Sequence, residues 1–115
     1  MVEEFSLTSE LKDDKLIINT AGYINNTGGE KIVQEFNKHN DVNRLILNLE
    51  KSNVVNSIGI SHLIEIIEIL NDRNGKLIFT NLDPIVEKTF TIMGLFKYAE
   101  RADSIESALE KWLSI

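Results

Sequence analysis

Two short and almost wholly apolar runs, Leu45–Leu49 and Leu77–Thr80, constrain the fold of this chain more than any other feature. Runs of this length and composition are typical of central strands that are covered on both faces of a sheet. A helical pattern from about Ile58 to Asp72 lies between them. Strands that alternate with helices indicate parallel neighbours joined by helical crossovers. The sequence therefore predicts an α/β fold with a buried central sheet.

The segments on either side extend this pattern. Phe5–Leu11 alternates between apolar and polar residues, and Leu16–Ile18 resumes after a turn and ends at Gly22, which predicts an edge hairpin. The further predicted elements, in chain order, are a helix that buries Ile32, Val33 and Phe36, a helix over Pro84–Met93, a short strand near Phe96–Tyr98 and a last helix over Ser104–Leu113. The long helix should end at Asn74-Gly75, with Gly75 as the left-handed cap.

The predicted architecture is one compact domain over residues 1–115, because a chain of 115 residues leaves no room for two. The element order is β-β-α-β-α-β-α-β-α. A central mixed β-sheet of four to five strands should carry about four helices.

Charge and composition exclude several classes of function. The formal net charge is −6 and the basic residues are scattered, whereas binding a phosphate backbone needs clustered Lys and Arg. A basic protein partner or simple solubility accounts better for the acidity. The acidic start, Met1–Phe5, lacks the features of a signal peptide, and the apolar runs are too short to span a membrane. We therefore expect a cytoplasmic protein with no membrane insertion and no direct contact with nucleic acid.

The segment Val54–Ile60 joins the end of a predicted strand to the start of the long helix. In open α/β sheets, reactive groups gather beyond the carboxyl ends of the strands, and a helix start attracts anions. A phosphate on Ser57 would be stabilised there and would change the surface charge by about −1.5 to −2 without disturbing the fold. The simpler alternative is capping, since Asn56 and Ser57 are both good N-cap residues. The two roles are compatible if Asn56 caps the helix and Ser57 is modified.

The long helix carries two apolar sectors. Helical spacing places Ile60, Leu63, Ile64, Ile67 and Leu70 on the face that meets the sheet. Ile58, Ile66 and Ile69 form a second strip beside His62. This strip is either a docking surface for a partner or a contact with the Pro84–Met93 helix, and it leaves a weak homodimer open. Ile58 is the better candidate for an exposed contact.

The remaining residue patterns predict no metal site, phosphate loop or catalytic site. His39 and His62 have no nearby cysteine and no acidic residues at the spacing typical of a metal site. The chain has no cysteine, and Gly28-Gly29 lacks the lysine and the preceding glycine spacing of a phosphate loop. No nucleophile–base pair is evident. We therefore expect no metal, no cofactor, no catalytic residue and no enzymatic activity.

The motifs together resemble the STAS domains of anti-sigma factor antagonists. The apolar strand Leu45–Leu49 followed by Val55–Ile60 is similar to the family's strand, Asp-Ser-Ser/Thr-Gly-Leu/Ile loop and helix. The similarity covers essentially the whole chain and includes four further segments, Gly22–Asn25, Leu82–Val86, Met93–Phe96 and Asp103–Leu109.

The resemblance implies partner switching. The unphosphorylated protein would bind an anti-sigma factor that is also a serine kinase and thereby release a sigma factor. Phosphorylation of the family serine, which falls on Ser57, would end the interaction, and a serine phosphatase would restore it. We expect the partner surface to contain the residues Asn25, Asn56, Ser57, Ile58, Gly59 and His62.

The sequence departs from the family motif at three positions. Asn56 and Asn25 replace aspartates, and Ile58 follows the serine. Asn caps a helix as well as Asp does, so the fold should tolerate these changes. The loss of two carboxylates lessens repulsion of an incoming phosphate and also weakens attraction to a basic kinase pocket. An alternative within the same fold is a scaffold or adaptor subunit of a transporter or a stressosome-like complex that is not phosphorylated.

Overall fold

The structure, a computed structural model, describes residues 4–113. Its elements, in chain order, are β1 (Ser6–Lys12), β2 (Lys15–Ala21), α1 (Asn26–Asn37), β3 (Arg44–Lys51), α2 (Ser57–Asp72), β4 (Lys76–Thr80), α3 (Pro84–Ile92), β5 (Glu100–Ala102) and α4 (Ile105–Leu113). The predicted order is confirmed, as are the single α/β sheet and its helices.

The five strands form one mixed sheet in the order β1-β2-β3-β4-β5. β1 and β2 pair antiparallel as a hairpin, and every other neighbouring pair is parallel. Because the parallel strands share one direction, all their carboxyl ends open at the same edge of the sheet. The helices that follow β2, β3 and β4 begin at that edge.

The central strands are buried on both faces because helices cover both sides. Leu45, Leu47 and Phe79 belong to the larger core, which α1, α2 and α3 cover. Their alternate neighbours Ile17, Ile46 and Ile78 form a smaller core with α4, through Ala108 and Trp112. Because side chains alternate along each strand, the two faces of the one sheet contribute to two separate hydrophobic cores.

The fifth strand lies a few residues beyond its predicted place. The segment Phe96–Tyr98 was predicted to be a strand, but a short 3-10 helix occupies Leu95–Lys97 and the strand is Glu100–Ala102. Gly94 ends α3 with a φ of 82°, and the 3-10 turn then buries Leu95 in the core. The edge strand itself contains two charged residues and carries no apolar pattern.

The sequence predicts the left-handed residue after α2 at Gly75, but the structure has it at Asn74. Asn74 has a φ of 58°, a conformation that Asn tolerates better than most residues. Gly75 is required for a different reason, because a Cβ there would lie 2.7 Å from the carbonyl oxygen of Asn43. The tight path of the chain into β4 therefore needs both residues.

The second apolar strip of α2 is not one exposed surface. Ile66 is fully buried, Ile69 is half-buried against the core, and only Ile58 is largely exposed, at 52%. α2 packs closely against α1, the neighbour that covers this side of the helix. Ile58 is therefore the member of the strip that is free to contact a partner.

Candidate functional site

Three helices begin beyond the carboxyl ends of β2, β3 and β4, and each has a side-chain cap. The amides of Gly28 and Gly59 donate to the side-chain oxygens of Asn25 and Asn56, at 3.0 and 2.8 Å. Asp83 accepts from the amide of Ile85 at 2.9 Å in the same way. The positive ends of three helix dipoles therefore open at one edge of the sheet.

Backbone hydrogen bonds hold the starts of α1 and α2 side by side. The amide of Ile24 donates to the carbonyl of Val54 at 3.0 Å, and the amide of Asn56 donates to the carbonyl of Ile24 at 3.2 Å. Ile24 and Val55 form an isolated parallel bridge that continues the β2–β3 pairing into the loops. This bridge fixes the two asparagine caps as neighbours.

Glycines allow this close approach. A Cβ on Gly59 would lie 2.2 Å from the carbonyl oxygen of Ile24, so no larger residue fits without moving the α1 loop. A Cβ on Gly29 would lie 2.5 Å from the His62 ring. Gly59 is buried, so it cannot contact a partner directly. Its role is to let α2 lie close to the α1 loop.

Ser57 is the first residue of α2 and is exposed to solvent. Within residues 4–113 its hydroxyl makes no hydrogen bond, because Asn56 performs the capping. The amides of Ser57 and Ile58 precede any helical carbonyl that could accept from them. The hydroxyl is thus a free nucleophile beside unpaired backbone donors, and these suit an attached phosphate.

The surface around Ser57 combines exposed apolar side chains with two helix starts that carry no acidic residue. Val54 and Ile58, on either side of Ser57 in the chain, are 53% and 52% exposed. The first turns of α1 and α2 contain no acidic residue. The immediate environment of the hydroxyl therefore neither repels a phosphate nor screens the two helix dipoles.

His62 connects the two helices. Its Nε2 donates to Oδ1 of Asn26 at 2.9 Å, and its Nδ1 lies 3.9 Å from a carboxylate oxygen of Glu65. The side chain is only 20% exposed, so most of the ring is covered. His62 is positioned to hold α1 against α2 one turn above Ser57.

Two buried hydroxyl groups beneath the loop between β3 and α2 were not predicted from the sequence. Thr20 and Ser52 share a hydrogen bond of 2.7 Å and are almost completely buried. They connect the end of β2 to the loop that leads to Ser57. Their sequence signal is weak, because single hydroxyl residues at strand ends are common in any fold.

The structure brings together the site residues that the sequence singled out. Asn25, Asn56, Ser57 and Ile58 lie at the carboxyl edge of the sheet, His62 is half-buried beside them, and Gly59 lies underneath. Asn26 and Val54 belong to the same surface and were not predicted. Within residues 4–113, no group of three His, Asp or Glu side chains could hold a metal ion, and no helix there is long and apolar enough to cross a membrane.

Comparison with known proteins gives a consistent match. The sequence profile of the STAS domain family covers residues 6–112. The anti-sigma factor antagonist SpoIIAA in its unphosphorylated form superimposes with a TM-score of 0.81 and 22% identity, over 96% of this chain and 98% of that one. Its phosphorylated form, described as a Bacillus cell fate determinant, gives 0.74 and 21%, over 92% and 98%.

Two further structures share the fold. An anti-sigma factor antagonist from Mycobacterium paratuberculosis gives a TM-score of 0.80 at 17% identity, over 94% of this chain and 93% of that one. A chain of the stressosome, a signal integration and transduction hub, gives 0.67 at 24%, over 90% and 94%. At such identities these structures establish a common fold.

Proposed function

Because the chain belongs to the STAS domain family, we propose that it is an anti-sigma factor antagonist whose binding is controlled by phosphorylation of Ser57. The partner in this proposal is an anti-sigma factor with serine kinase activity, and a serine phosphatase restores the unphosphorylated form. The chain itself is a substrate and not an enzyme. Its structural neighbours include one antagonist solved in unphosphorylated and phosphorylated forms.

One observation carries the proposal: the Ser57 hydroxyl is exposed at the first position of α2 and is not used as the cap. A kinase can reach this oxygen without unfolding the helix. The added phosphate would lie next to the unpaired amides of the first turn, where the helix dipole stabilises negative charge. Phosphorylation therefore leaves the fold unchanged and alters the surface alone.

The same surface explains how the phosphate would end binding. A partner docked over Ser57 covers Val54 and Ile58, which are about half exposed in the free chain. A phosphate carries about −1.5 to −2 charges at neutral pH, and burying it in an apolar contact is unfavourable. The switch is thus electrostatic and local.

Phosphorylation by an anti-sigma factor kinase tests the proposal, and Ser61 provides a matched control. Ser61 is exposed one turn along α2, but its hydroxyl donates to the carbonyl of Ile58 at 2.6 Å. Incubation with the kinase and ATP should add one phosphate. Ser57→Ala should abolish this phosphorylation and Ser61→Ala should not. No phosphate on the native chain, or phosphate at another residue, would refute the role of Ser57.

A constitutive scaffold of the same fold is the second candidate, and the likeness to a stressosome chain supports it. A scaffold binds its neighbours whether or not Ser57 is charged. Ser57→Glu should then leave the affinity for the partner unchanged, whereas a phosphorylation switch predicts a large loss.

A further inference from the structure

Four cations lie in register across the sheet, at the edge opposite Ser57. Lys12 pairs with Lys15, Lys15 with Arg44, and Arg44 with Lys76, each as direct Cα partners on neighbouring strands. Residues in register point to the same face of a sheet, here the face that carries α4. With neighbouring strands about 4.8 Å apart, these four side chains form a continuous basic row. The chain as a whole is acidic, with a formal net charge of −6.

Such a row opposes the stability of the sheet, because like charges directly across neighbouring strands repel each other. One member is neutralised: Lys15 forms an ion pair with Asp14 at 3.0 Å. Within residues 4–113, Lys12, Arg44 and Lys76 form no ion pair. Arrangements that cost stability locally are expected at functional sites.

The row opens into a polar cavity of about 300 Å³. The cavity is lined by Asp14, Asp41, Asn43, Arg44, Asn74 and Lys76. Its two asparagines add amide donors to the two cations. The lining itself holds two cations, Arg44 and Lys76, and two carboxylates, Asp14 and Asp41. The row adds Lys12 and Lys15 next to the cavity, and Lys15 already pairs with Asp14, so positive charge is in excess in this region as a whole.

Two buried donors near the cavity have no acceptor among the described residues. The Arg44 guanidinium stacks over the Trp112 ring, with its central carbon 5.3 Å from the ring centroid. Nη1 of Arg44 and Nε1 of Trp112 are both buried and have no hydrogen-bond partner among the described residues. Both atoms can only donate. Because buried donors are nearly always satisfied, the unpartnered Nη1 of Arg44, a residue that lines the cavity, indicates an acceptor there.

We propose that this cavity binds a small phosphate-bearing anion, of the size of pyrophosphate or a phosphate monoester. Its oxygens would accept from Nη1 of Arg44 and from the ammonium group of Lys76. The guanidinium suits an oxyanion because its N–H groups form a planar fork that can bind two oxygens at once. The cavity lies at the amino ends of β3 and β4, away from Ser57. This inference is therefore independent of the proposed function.

Trp112 is the only tryptophan, so its fluorescence reports directly on the Arg44 contact. Pyrophosphate and a phosphate monoester are titrated separately at constant ionic strength. A saturable change with either anion supports the proposal and identifies the preferred class. No saturable change with either anion, or a change reproduced by sodium chloride, would overturn it.

Two variants locate the binding. Lys76→Gln should weaken anion binding about tenfold, because a charge-assisted hydrogen bond is lost. Lys88→Gln changes an exposed lysine on α3, across the sheet, and should have no effect. Arg44→Gln also removes the contact with Trp112, so its binding is measured by calorimetry, where heat of binding should be lost. Equal affinities for Lys76→Gln and Lys88→Gln would contradict the assignment.

Discussion

The Nε2 atom of His62 lies 2.9 Å from Oδ1 of Asn26, and this hydrogen bond joins α2 to the first residue of α1. The two helices that meet at the candidate site are thereby connected by a side-chain bond as well as by the backbone bridge of Ile24 and Val55. His62 acts as a positioning residue in this arrangement. Its ring also occupies the space above Gly29.

We predict that His62→Ala lowers the free energy of unfolding by about 1 kcal/mol, the net value of one hydrogen bond. It should also slow phosphorylation of Ser57, because α1 and α2 lose a connection one turn above the hydroxyl. His39→Ala is the control, since the His39 side chain has a similar exposure of 23% but lies at the far end of α1. Urea unfolding and a kinase assay measure the two effects. Equal phosphorylation rates for both variants would show that His62 does not position the site.

Gly59→Ala should be among the most destabilising single substitutions in the chain. The new Cβ would lie 2.2 Å from the carbonyl oxygen of Ile24, and this backbone cannot move without breaking the bridge between the two loops. We expect a loss of about 3 kcal/mol or more. Gly94→Ala provides the comparison, because the nearest atom beyond its chain neighbours, on the Lys97 side chain, would lie 3.8 Å from the new Cβ and only the φ of 82° opposes the change. That variant should lose about 1–2 kcal/mol. Thermal unfolding of both proteins tests the order, and a reversed order would contradict it.

The cap at Asn56 should tolerate aspartate but not alanine. Asn56→Ala removes the acceptor for the Gly59 amide and should cost about 1 kcal/mol. Asn56→Asp keeps the acceptor and adds a negative charge at a helix start, which should raise stability by about 0.3–1 kcal/mol at low salt. The gain should shrink in high salt. Denaturant unfolding at two salt concentrations measures both changes, and a salt-independent gain would rule out the electrostatic explanation.

Glu35 should contribute stability that is lost in acid. A hydrogen bond from the Ser9 hydroxyl, helped by Lys38, lowers the pKa of this carboxyl below its ordinary value of 4.5. A lowered pKa in the folded state stabilises the protein above the unfolded-state pKa. This contribution disappears as the pH falls through the folded-state pKa. Ser9→Ala should return the pKa of Glu35 toward 4.5. The free energy of unfolding should then fall less steeply as the pH is lowered into the acid range.

Ser6→Ala, in an exposed position of the same strand, is the control for this measurement. NMR titration of Glu35 should show a raised pKa in Ser9→Ala and no change in Ser6→Ala. An unchanged Glu35 pKa in Ser9→Ala would mean that the hydroxyl does not hold the carboxylate.

The sequence predicts the fold well where apolar periodicity is strong. The central strands are buried on both faces, and the helix faces that carry Ile32, Val33 and Phe36 or Ile60, Leu63 and Ile67 are buried as expected. The fifth strand was misplaced because a three-residue edge strand with two charges has no periodic signal. Its position is determined by the turn that begins at Gly94.

The features of the candidate site also differ in how local their sequence signal is. The start of α2 at Ser57 is predicted by cap chemistry, which is local in the sequence. The contact of His62 with Asn26 and the Thr20–Ser52 pair join residues about 30 positions apart or more, and the pattern of a single segment cannot reveal them. The basic row at the opposite edge was read as scattered charge, because only strand register brings Lys12, Arg44 and Lys76 together.

The affinity of the anti-sigma factor kinase for this chain, measured before and after stoichiometric phosphorylation of Ser57, decides whether this hydroxyl controls binding. Amide NMR spectra of both forms establish whether the fold is retained. We predict an affinity at least tenfold weaker after phosphorylation, about 1.4 kcal/mol or more, with spectral changes confined to the starts of α1 and α2. Equal affinities, or a phosphorylated chain that has lost its folded spectrum, would contradict it.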